Sequence, residues 1–390
     1  MKKYGLIGQC LDYSYSKYIH DYLIEKYDLE ASYDLIEVAN LNRALLLKYD
    51  GLGITIPYKE TVLEFLDENK DNLVCNTIVN KDGYLEGYNT DLVGFAYLVK
   101  KLNLRKIEKI VILGSGATSK LVQHYFKDKE TIIISRSGPI TYDNLKELKA
   151  DLLVNTTPVG MKENVSLLNE AYLSNYSGII DLNYNPINSK LALDCAKQDI
   201  PFIGGLDMLL KQALKQFELW HGIKTNIFEY KEVKMMVLSK IKPKVALIGL
   251  SLSGKTTLVK KYGGIDLDEA IEAKYQESIT KMLTDKTFRL RETIALEEVV
   301  NKDNQLIACG GGIMLDHKNM ELLKDYLIIH LDIDFNVLID RLDNNQRPLI
   351  KSETDLLFMK QSREKLYRKY ANIEMDQDEI EVFLNEISNR

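Results

Sequence analysis

Cysteine, proline and tryptophan are scarce in this 390-residue chain, at four, seven and one residues. The cysteines, Cys10, Cys75, Cys195 and Cys309, form no C-x-x-C pair, and no H-E-x-x-H stretch occurs. Neither a disulfide framework nor a zinc site is therefore indicated, and a reducing cytoplasm is the expected setting. No apolar run approaches the roughly 18 residues of a membrane span. The apolar stretch behind Met1-Lys2-Lys3 is broken at Gln9 and Asp12, too soon for the core of a signal peptide. Excess positive charge is missing as well: 51 Lys and Arg stand against 57 Asp and Glu, for a net charge of -6. Without a basic stripe, a nucleic-acid partner is not expected, and small anionic ligands must be held by local clusters. What remains is an ordinary globular composition, 45% hydrophobic and 28% charged. At roughly 150 residues per domain, the length suggests two or three domains.

Three short apolar runs each lead into a glycine turn and a helical pattern: KYGLIGQ (3–9), KIVILGSG (109–116) and KVALIGLSLSG (244–254). Further β-rich segments alternate with helical ones: TIIIS (131–135), DLLVNTT (151–157), GIIDLNY (178–184), QLIACGGG (305–312) and YLIIHLDI (326–333). This alternation predicts an α/β protein with parallel, helix-covered sheets. The basic, proline-containing stretch Lys240-Ile-Lys-Pro-Lys244 follows a helical pattern and precedes a new strand, so the main junction is expected there. The acidic end, 374–388, carries Ile380, Val382, Phe383 and Ile387 at helical spacing and reads as a terminal helix.

Gly249-Leu-Ser-Leu-Ser-Gly-Lys-Thr256 matches G-x-x-x-x-G-K-[ST] between a predicted strand and a predicted helix. Backbone amides of Gly249, Ser253 and Gly254 can wrap phosphates, with Thr257 following in the helix. Lys255 offers a point charge to the β- and γ-oxygens, and Thr256 can ligate Mg²⁺. The loop alone leaves a switch, a motor and a kinase open, although no N-K-x-D guanine signature follows it. The D-x-D of Asp266 and Asp268 is, by itself, a solvated pair as readily as a site.

Downstream come IDLD (265–268), FRLRE (288–292), CGGG (309–312), RPLI (347–350) and REKLYRKYA (363–371). In this order they resemble shikimate kinase, a P-loop α/β fold with a parallel sheet, over nearly all of 244–390. The resemblance implies ATP and Mg²⁺. It makes Asp268 the group that binds and orients the acceptor hydroxyl, places Asp266 near the magnesium, and gives Arg289 and Arg363 the substrate carboxylate. Gly310, Gly311 and Gly312 become a close-approach substrate turn, and Arg347 a lid arginine over the phosphates. A planar guanidinium suits a carboxylate better than an ammonium does. Only 10 residues separate Lys255 from Asp266, so a shortened helix is expected behind the loop. His330 and Asp332 read as strand-end structure.

In the N-terminal half, Gly114-Ser115-Gly116-Ala117 after a strand is a degenerate dinucleotide fingerprint, with Ser119 where a third Gly or Ala is usual. Ser135 and Arg136 end the next strand in place of an acidic residue. An arginine there favours a ribose 2′-phosphate, hence NADP. Around it lie YSYSKYIHD (13–21), GITIPYKE (53–60), CNTI (75–78), GYNTDLVGF (87–95), NTTPVGM (155–161), DLNYNP (181–186) and GGLDMLLKQA (204–213). The series resembles shikimate dehydrogenase over roughly 1–235, with an α/β substrate domain and a Rossmann NADP domain. The implied reaction is NADPH reduction of 3-dehydroshikimate. Lys59 matches the proton donor and Asp91 its partner, Ser14 and Ser16 the carboxylate binders, and Thr55, Asn76 and Gln212 further hydroxyl and carboxylate binders. Tyr184 lines the same cleft. Tyr13, Lys17 and Gly53 stand where the family pattern has His, Pro and Asn, and the short segment from Gly116 to Asp151 implies a pared-down nucleotide domain.

The product of the first implied reaction is the substrate of the second. The expectation is a bifunctional enzyme of aromatic amino-acid biosynthesis. Residues 1–95 would form a substrate-binding domain, 96–205 the NADP domain, 206–240 helices returning to the first domain with a linker, and 243–390 the kinase. The competing reading is a kinase carrying a non-catalytic, shikimate-binding regulatory module.

Overall fold

The apolar runs of the sequence become the central strands of three sheets. The structure, a computed structural model, describes residues 1–390 apart from 13, 162, 242, 284, 286, 343–349, 351, 389 and 390. Two compact units result, Met1–Asn185 with Lys190–Val237 and Pro186–Ser189 with Leu238–Arg390. The division falls inside the helix Ile227–Lys240, just ahead of the expected junction. Among the described residues, no helix is long and apolar enough to cross a membrane.

The first unit holds two sheets. One comprises β1 (Lys2–Gly8), β2 (Ala31–Glu37), β3 (Gly51–Ile54), β4 (Glu68–Asn69), β5 (Thr77–Lys81) and β6 (Tyr84–Tyr88), in the order β2-β1-β3-β5-β6-β4. Its register sets Leu6 opposite Gly53 and Ile7 opposite Ile54. The other is fully parallel: β7 (Lys109–Leu113), β8 (Glu130–Ile134), β9 (Ala150–Asn155), β10 (Tyr176–Asp181) and β11 (Phe202–Gly204), ordered β11-β10-β9-β7-β8. Alternate residues supply its two cores. Ile110, Ile112, Leu152 and Val154 face the helices Thr90–Leu102 and Ala117–Tyr125, while Val111, Leu113 and Leu153 face Leu145, Leu173 and Leu191. Chain reversal at β7 makes a crevice between the ends of β7 and β9, where doubly wound sheets bind ligands. The six-stranded dinucleotide order would need one more strand outside β8. Residues 135–149 form a single 3₁₀ turn, Tyr142–Lys146, and leave no room for it.

Leu206–His221 carries buried Leu210, Ala213, Leu214, Phe217 and Trp220 at helical spacing, and Gly222 ends it at φ +71°. This helix returns to the first sheet, where Trp220 Nε1 donates to Ile78 O at 2.9 Å.

Among the described residues, the second unit has one parallel sheet: β12 (Lys244–Ile248), β13 (Ile265–Asp266), β14 (Leu306–Ala308), β15 (Tyr326–Leu331) and β16 (Ile373–Met375), ordered β13-β14-β12-β15-β16. The phosphate-loop sequence leaves the central strand, β12. The helix behind it, Lys255–Tyr262, ends at Gly263 after two turns, as the short spacing to Asp266 requires.

His20 is buried in the first unit, stacked on Tyr33 at 4.4 Å and tilted against Trp220. Its Nε2 lies 3.4 Å from Gln216 Oε1, which makes Nε2 the donor. Burial pushes its pKa down from 6.5 to about 3, against the opposing pull of that hydrogen bond. The unfolded chain takes up a proton near pH 6.5 that the fold refuses. Stability is therefore present above 6.5 and lost as pH falls. Between pH 7.5 and 6, His20 alone is expected to cost on the order of 1 kcal/mol. His221, also depressed by burial, adds in the same direction. Asp181, raised by burial to about 6, opposes both below that pH, because its loss of stability on ionisation is reversed as pH falls. Urea midpoints at pH 7.5 and 6, followed by fluorescence of the single tryptophan, check this. The wild type should lose stability at pH 6, and His20→Gln should shrink the difference.

Candidate functional site

In the first unit a cavity of about 240 Å³ is lined by Ser14, Ser16, Thr55, Lys59, Asn76, Asp91, Tyr184 and Gln212, with Leu6, Leu11, Ile54, Met208 and Leu209 among its apolar walls. The structure thus brings together eight residues singled out from the sequence. Lys59, in the turn after β3, donates from Nζ to Asp91 Oδ2 at 2.6 Å, with both side chains mostly buried. Asp91 lies in the first turn of Thr90–Leu102, where the helix dipole favours a carboxylate. Of the departures from the family pattern, Tyr13 lies outside the described residues. Lys17 pairs with Asp21 and donates to Tyr33 O at 2.6 Å, and neither Lys17 nor Gly53 lines the cavity.

A buried polar net fixes one wall. Asn76 Oδ1 accepts from Thr90 N at 2.7 Å and Thr77 Oγ1 at 3.0 Å, and Asn76 Nδ2 donates to Thr90 Oγ1 at 3.0 Å. Gln216 Nε2 donates to Asn76 O at 3.2 Å and Thr77 Oγ1 at 3.0 Å. Gln216, also a lining residue, escaped the sequence reading because a glutamine on a helix has no signature until the helix is docked.

Gly114 ends β7 at φ +106°, and Gly116 precedes the helix Ala117–Tyr125 with open space where a Cβ would stand. Ser115 lies between them. Ser135 is buried at the end of β8, its N–H donating to Ile140 O at 3.3 Å, and Arg136 beside it is exposed.

In the second unit a cavity of about 520 Å³ is lined by Gly254, Lys255, Thr256, Thr257, Asp266, Asp268 and Gly311, joined by Cys309, Arg341 and Gln377. Gly249, Leu252 and Gly254 adopt positive φ, the turn a phosphate cradle requires. Lys255 Nζ donates to Gly249 O at 2.9 Å, Leu250 O at 2.7 Å and Ser253 Oγ at 3.2 Å. Thr256 Oγ1 donates to Asp266 Oδ2 at 2.5 Å. The other Asp266 oxygen caps the next helix, accepting from Asp268 N at 2.9 Å and Glu269 N at 3.2 Å.

The three glycines after β14 each make room for a different group. A Cβ on Gly310 would stand 2.8 Å from Asp268 Oδ1, one on Gly311 3.1 Å from an Arg363 nitrogen, and one on Gly312 2.5 Å from an Arg289 nitrogen. Arg363 donates to Gly311 O at 2.8 Å, alongside the Tyr367 hydroxyl at 2.7 Å. Arg289 donates to Glu292 at 2.5 Å. Glu292 is buried, and burial raises its pKa against the pull of Arg289. Glu292 and Tyr367 were not singled out from the sequence, although both lie inside the quoted motifs. Tyr367 meets a backbone carbonyl far along the chain, whereas Glu292 pairs with Arg289 one helical turn before it. Arg347 lies outside the described residues.

Residues 6–78 match the family model of the shikimate dehydrogenase substrate binding domain, and residues 253–389 match that of shikimate kinase. The shikimate dehydrogenase (NADP(+)) of Clostridium beijerinckii is 35% identical over 56% of this chain and 92% of its own. That of Pyrococcus abyssi is 32% identical over 62% of this chain and its entire own length. A crystal structure of a chorismate mutase/shikimate 5-dehydrogenase fusion protein from Clostridium acetobutylicum superposes with a TM-score of 0.58 at 31% identity, covering 62% of this chain and 99% of that one.

Proposed function

The chain belongs to the shikimate dehydrogenase family and carries a shikimate kinase domain behind it; from that premise we propose that it reduces 3-dehydroshikimate with NADPH and phosphorylates the resulting shikimate with ATP. The observation that carries this reading is the Lys59–Asp91 pair, set in one cavity with neutral hydrogen-bonding side chains that include Ser14, Ser16, Thr55, Asn76, Tyr184 and Gln212.

Hydride arriving at a ketone carbon leaves an alkoxide, which needs a proton and a positive field. Lys59 supplies both, and Asp91 holds the ammonium in place. Ser14 and Ser16 take the substrate carboxylate, while Thr55, Asn76, Gln212 and Tyr184 hold its ring substituents. NADPH supplies the hydride when bound. Gly114 to Ala117 fit its pyrophosphate because Gly116 leaves the helix end open. Ser135 and the exposed Arg136 suit a 2′-phosphate. The five-stranded sheet would then serve as a reduced Rossmann domain.

In the kinase part, Gly249, Ser253, Gly254, Lys255 and Thr257 hold the ATP phosphates. The oxygens of Thr256 and Asp266 are the hard donors Mg²⁺ prefers, and they adjoin each other. Asp268 orients the acceptor hydroxyl, and Arg289 and Arg363 hold the carboxylate across Gly310, Gly311 and Gly312. Both activities suit a cytoplasmic enzyme with small-molecule partners.

One assay tests the whole: 3-dehydroshikimate, NADPH and Mg-ATP together should yield shikimate 3-phosphate, and absence of both NADPH oxidation and phosphorylated product from folded protein would refute it. Within the kinase, Gly312→Ala is expected to raise the KM for shikimate about tenfold, the loss of one charged contact. The KM for ATP and the melting temperature should hold. The atoms a new Cβ meets belong to the flexible end of Arg289, which can give way while it keeps its pair with Glu292.

A further inference from the structure

Two polar side chains of the second unit, Asn319 and Thr293, are buried without lining its cavity. Polar groups taken out of water need partners, and these two form one chain of hydrogen bonds. Asn319, in the short helix His317–Leu322, donates from Nδ2 to Ile313 O at 3.0 Å. Its Oδ1 accepts from Thr293 Oγ1 at 2.8 Å. The direction of both bonds is forced. A backbone carbonyl only accepts, so the amide nitrogen faces Ile313, and the amide oxygen that is left for Thr293 takes the hydroxyl proton.

Both ends of this chain adjoin the proposed substrate groups. Ile313 directly follows Gly310, Gly311 and Gly312, and its N–H donates to Gly310 O at 3.1 Å, closing the glycine turn on itself. Thr293 directly follows Glu292 and stands one turn after Arg289 in the helix Phe288–Asn301. The clearances between turn and helix are narrow. A Cβ on Gly312 would stand 2.5 Å from an Arg289 nitrogen, and one on Gly310 3.2 Å from Glu292 Oε1. A small shift of the turn against the helix thus changes where the guanidinium can reach, and misplacement of that size is costly to binding and catalysis.

We propose that Asn319 and Thr293 are positioning residues that fix the spacing between the glycine turn and the helix carrying Arg289, and so set the guanidinium to receive an ionised carboxylate. This assignment rests on the reading of Arg289 as a binder of the shikimate carboxylate.

Steady-state kinase assays on the full chain test it. Thr293→Val keeps the shape of the side chain and removes its proton, and should raise the KM for shikimate about tenfold with the KM for ATP unchanged. Thr293→Ser, which retains the hydroxyl, should keep the parent KM. Asn319→Leu should match Thr293→Val, and the two together should cost no more than the larger alone, because each breaks the same chain of bonds. Shikimate methyl ester, which has no ionised carboxylate, should be weakened by Thr293→Val less than shikimate is. The comparison of Thr293→Val with Thr293→Ser decides the matter even where Asn319→Leu does not fold. An unchanged KM for shikimate in Thr293→Val, equal weakening of acid and ester, or a parallel rise in the KM for ATP overturns the assignment while leaving the kinase reading intact. A parent protein that forms no shikimate 3-phosphate from shikimate and Mg-ATP overturns both.

Discussion

Lys59→Ala is expected to lower NADPH-dependent reduction of 3-dehydroshikimate by about 10²- to 10⁴-fold, the usual worth of a positioned proton donor. Shikimate-dependent ADP formation by the same protein should stay at the parent rate. The size of the effect follows from the site. Lys59 is the cation that faces Asp91 across the cavity, and the other proposed substrate contacts there are neutral hydroxyls and amides. Truncation removes the proton and also leaves Asp91, whose side chain is 15% exposed, without its counter-ion. The added negative field disfavours the developing alkoxide. Asp91→Asn should therefore partly restore the rate in the Lys59→Ala background, although alone it is damaging. Stopped-flow NADPH oxidation measures both. A parent chain without reductase activity, unaffected by Lys59→Ala, would support the rival picture of a non-catalytic shikimate-binding module.

Lys255→Ala should have a comparable effect on the other activity, lowering shikimate-dependent ADP formation by about 10²- to 10³-fold, as loss of one preorganised contact to transferring charge does. NADPH oxidation should be unaffected. The ammonium is gathered over the loop by three oxygens, those of Gly249, Leu250 and Ser253, which hold it at the mouth of the cavity. Arginine would not substitute well, because a planar fork does not fit a cradle shaped for a point charge. Coupled ADP release with and without shikimate separates acceptor phosphorylation from idle hydrolysis. A variant that keeps the parent rate would remove the loop from the chemistry.

What could be read from the sequence is what local chemistry dictates. Gly249 and Gly254 need positive φ, and Gly310 to Gly312 need the absence of a side chain, so residue type and position carry the information by themselves. Lys59 and Asp91 were legible through motifs that surround them. Gln216 and Tyr367 were not, because their roles depend on which distant backbone or side chain the fold sets against them. Lys17 shows the same limit from the other side. A cation in a substrate motif looks like part of the wall, yet an aspartate one helical turn on and the carbonyl of Tyr33 draw it away from the cavity. The missing strand beyond β8 was foreshadowed only as shortness, since length says that something is omitted without saying which element.

That omission reaches into colloidal behaviour. Among the described residues β8 is an edge strand that pairs only with β7, and its run of Ile132, Ile133 and Ile134 is the kind of β-branched segment that templates association between chains. The charges gathered at its entrance, Lys127, Asp128, Lys129 and Glu130, with Glu130 tied to Lys109 and Lys129 to Glu108, act as gatekeepers against such pairing. A nucleotide domain pared to five strands thus trades sheet area for an edge that its surface charges must keep solitary.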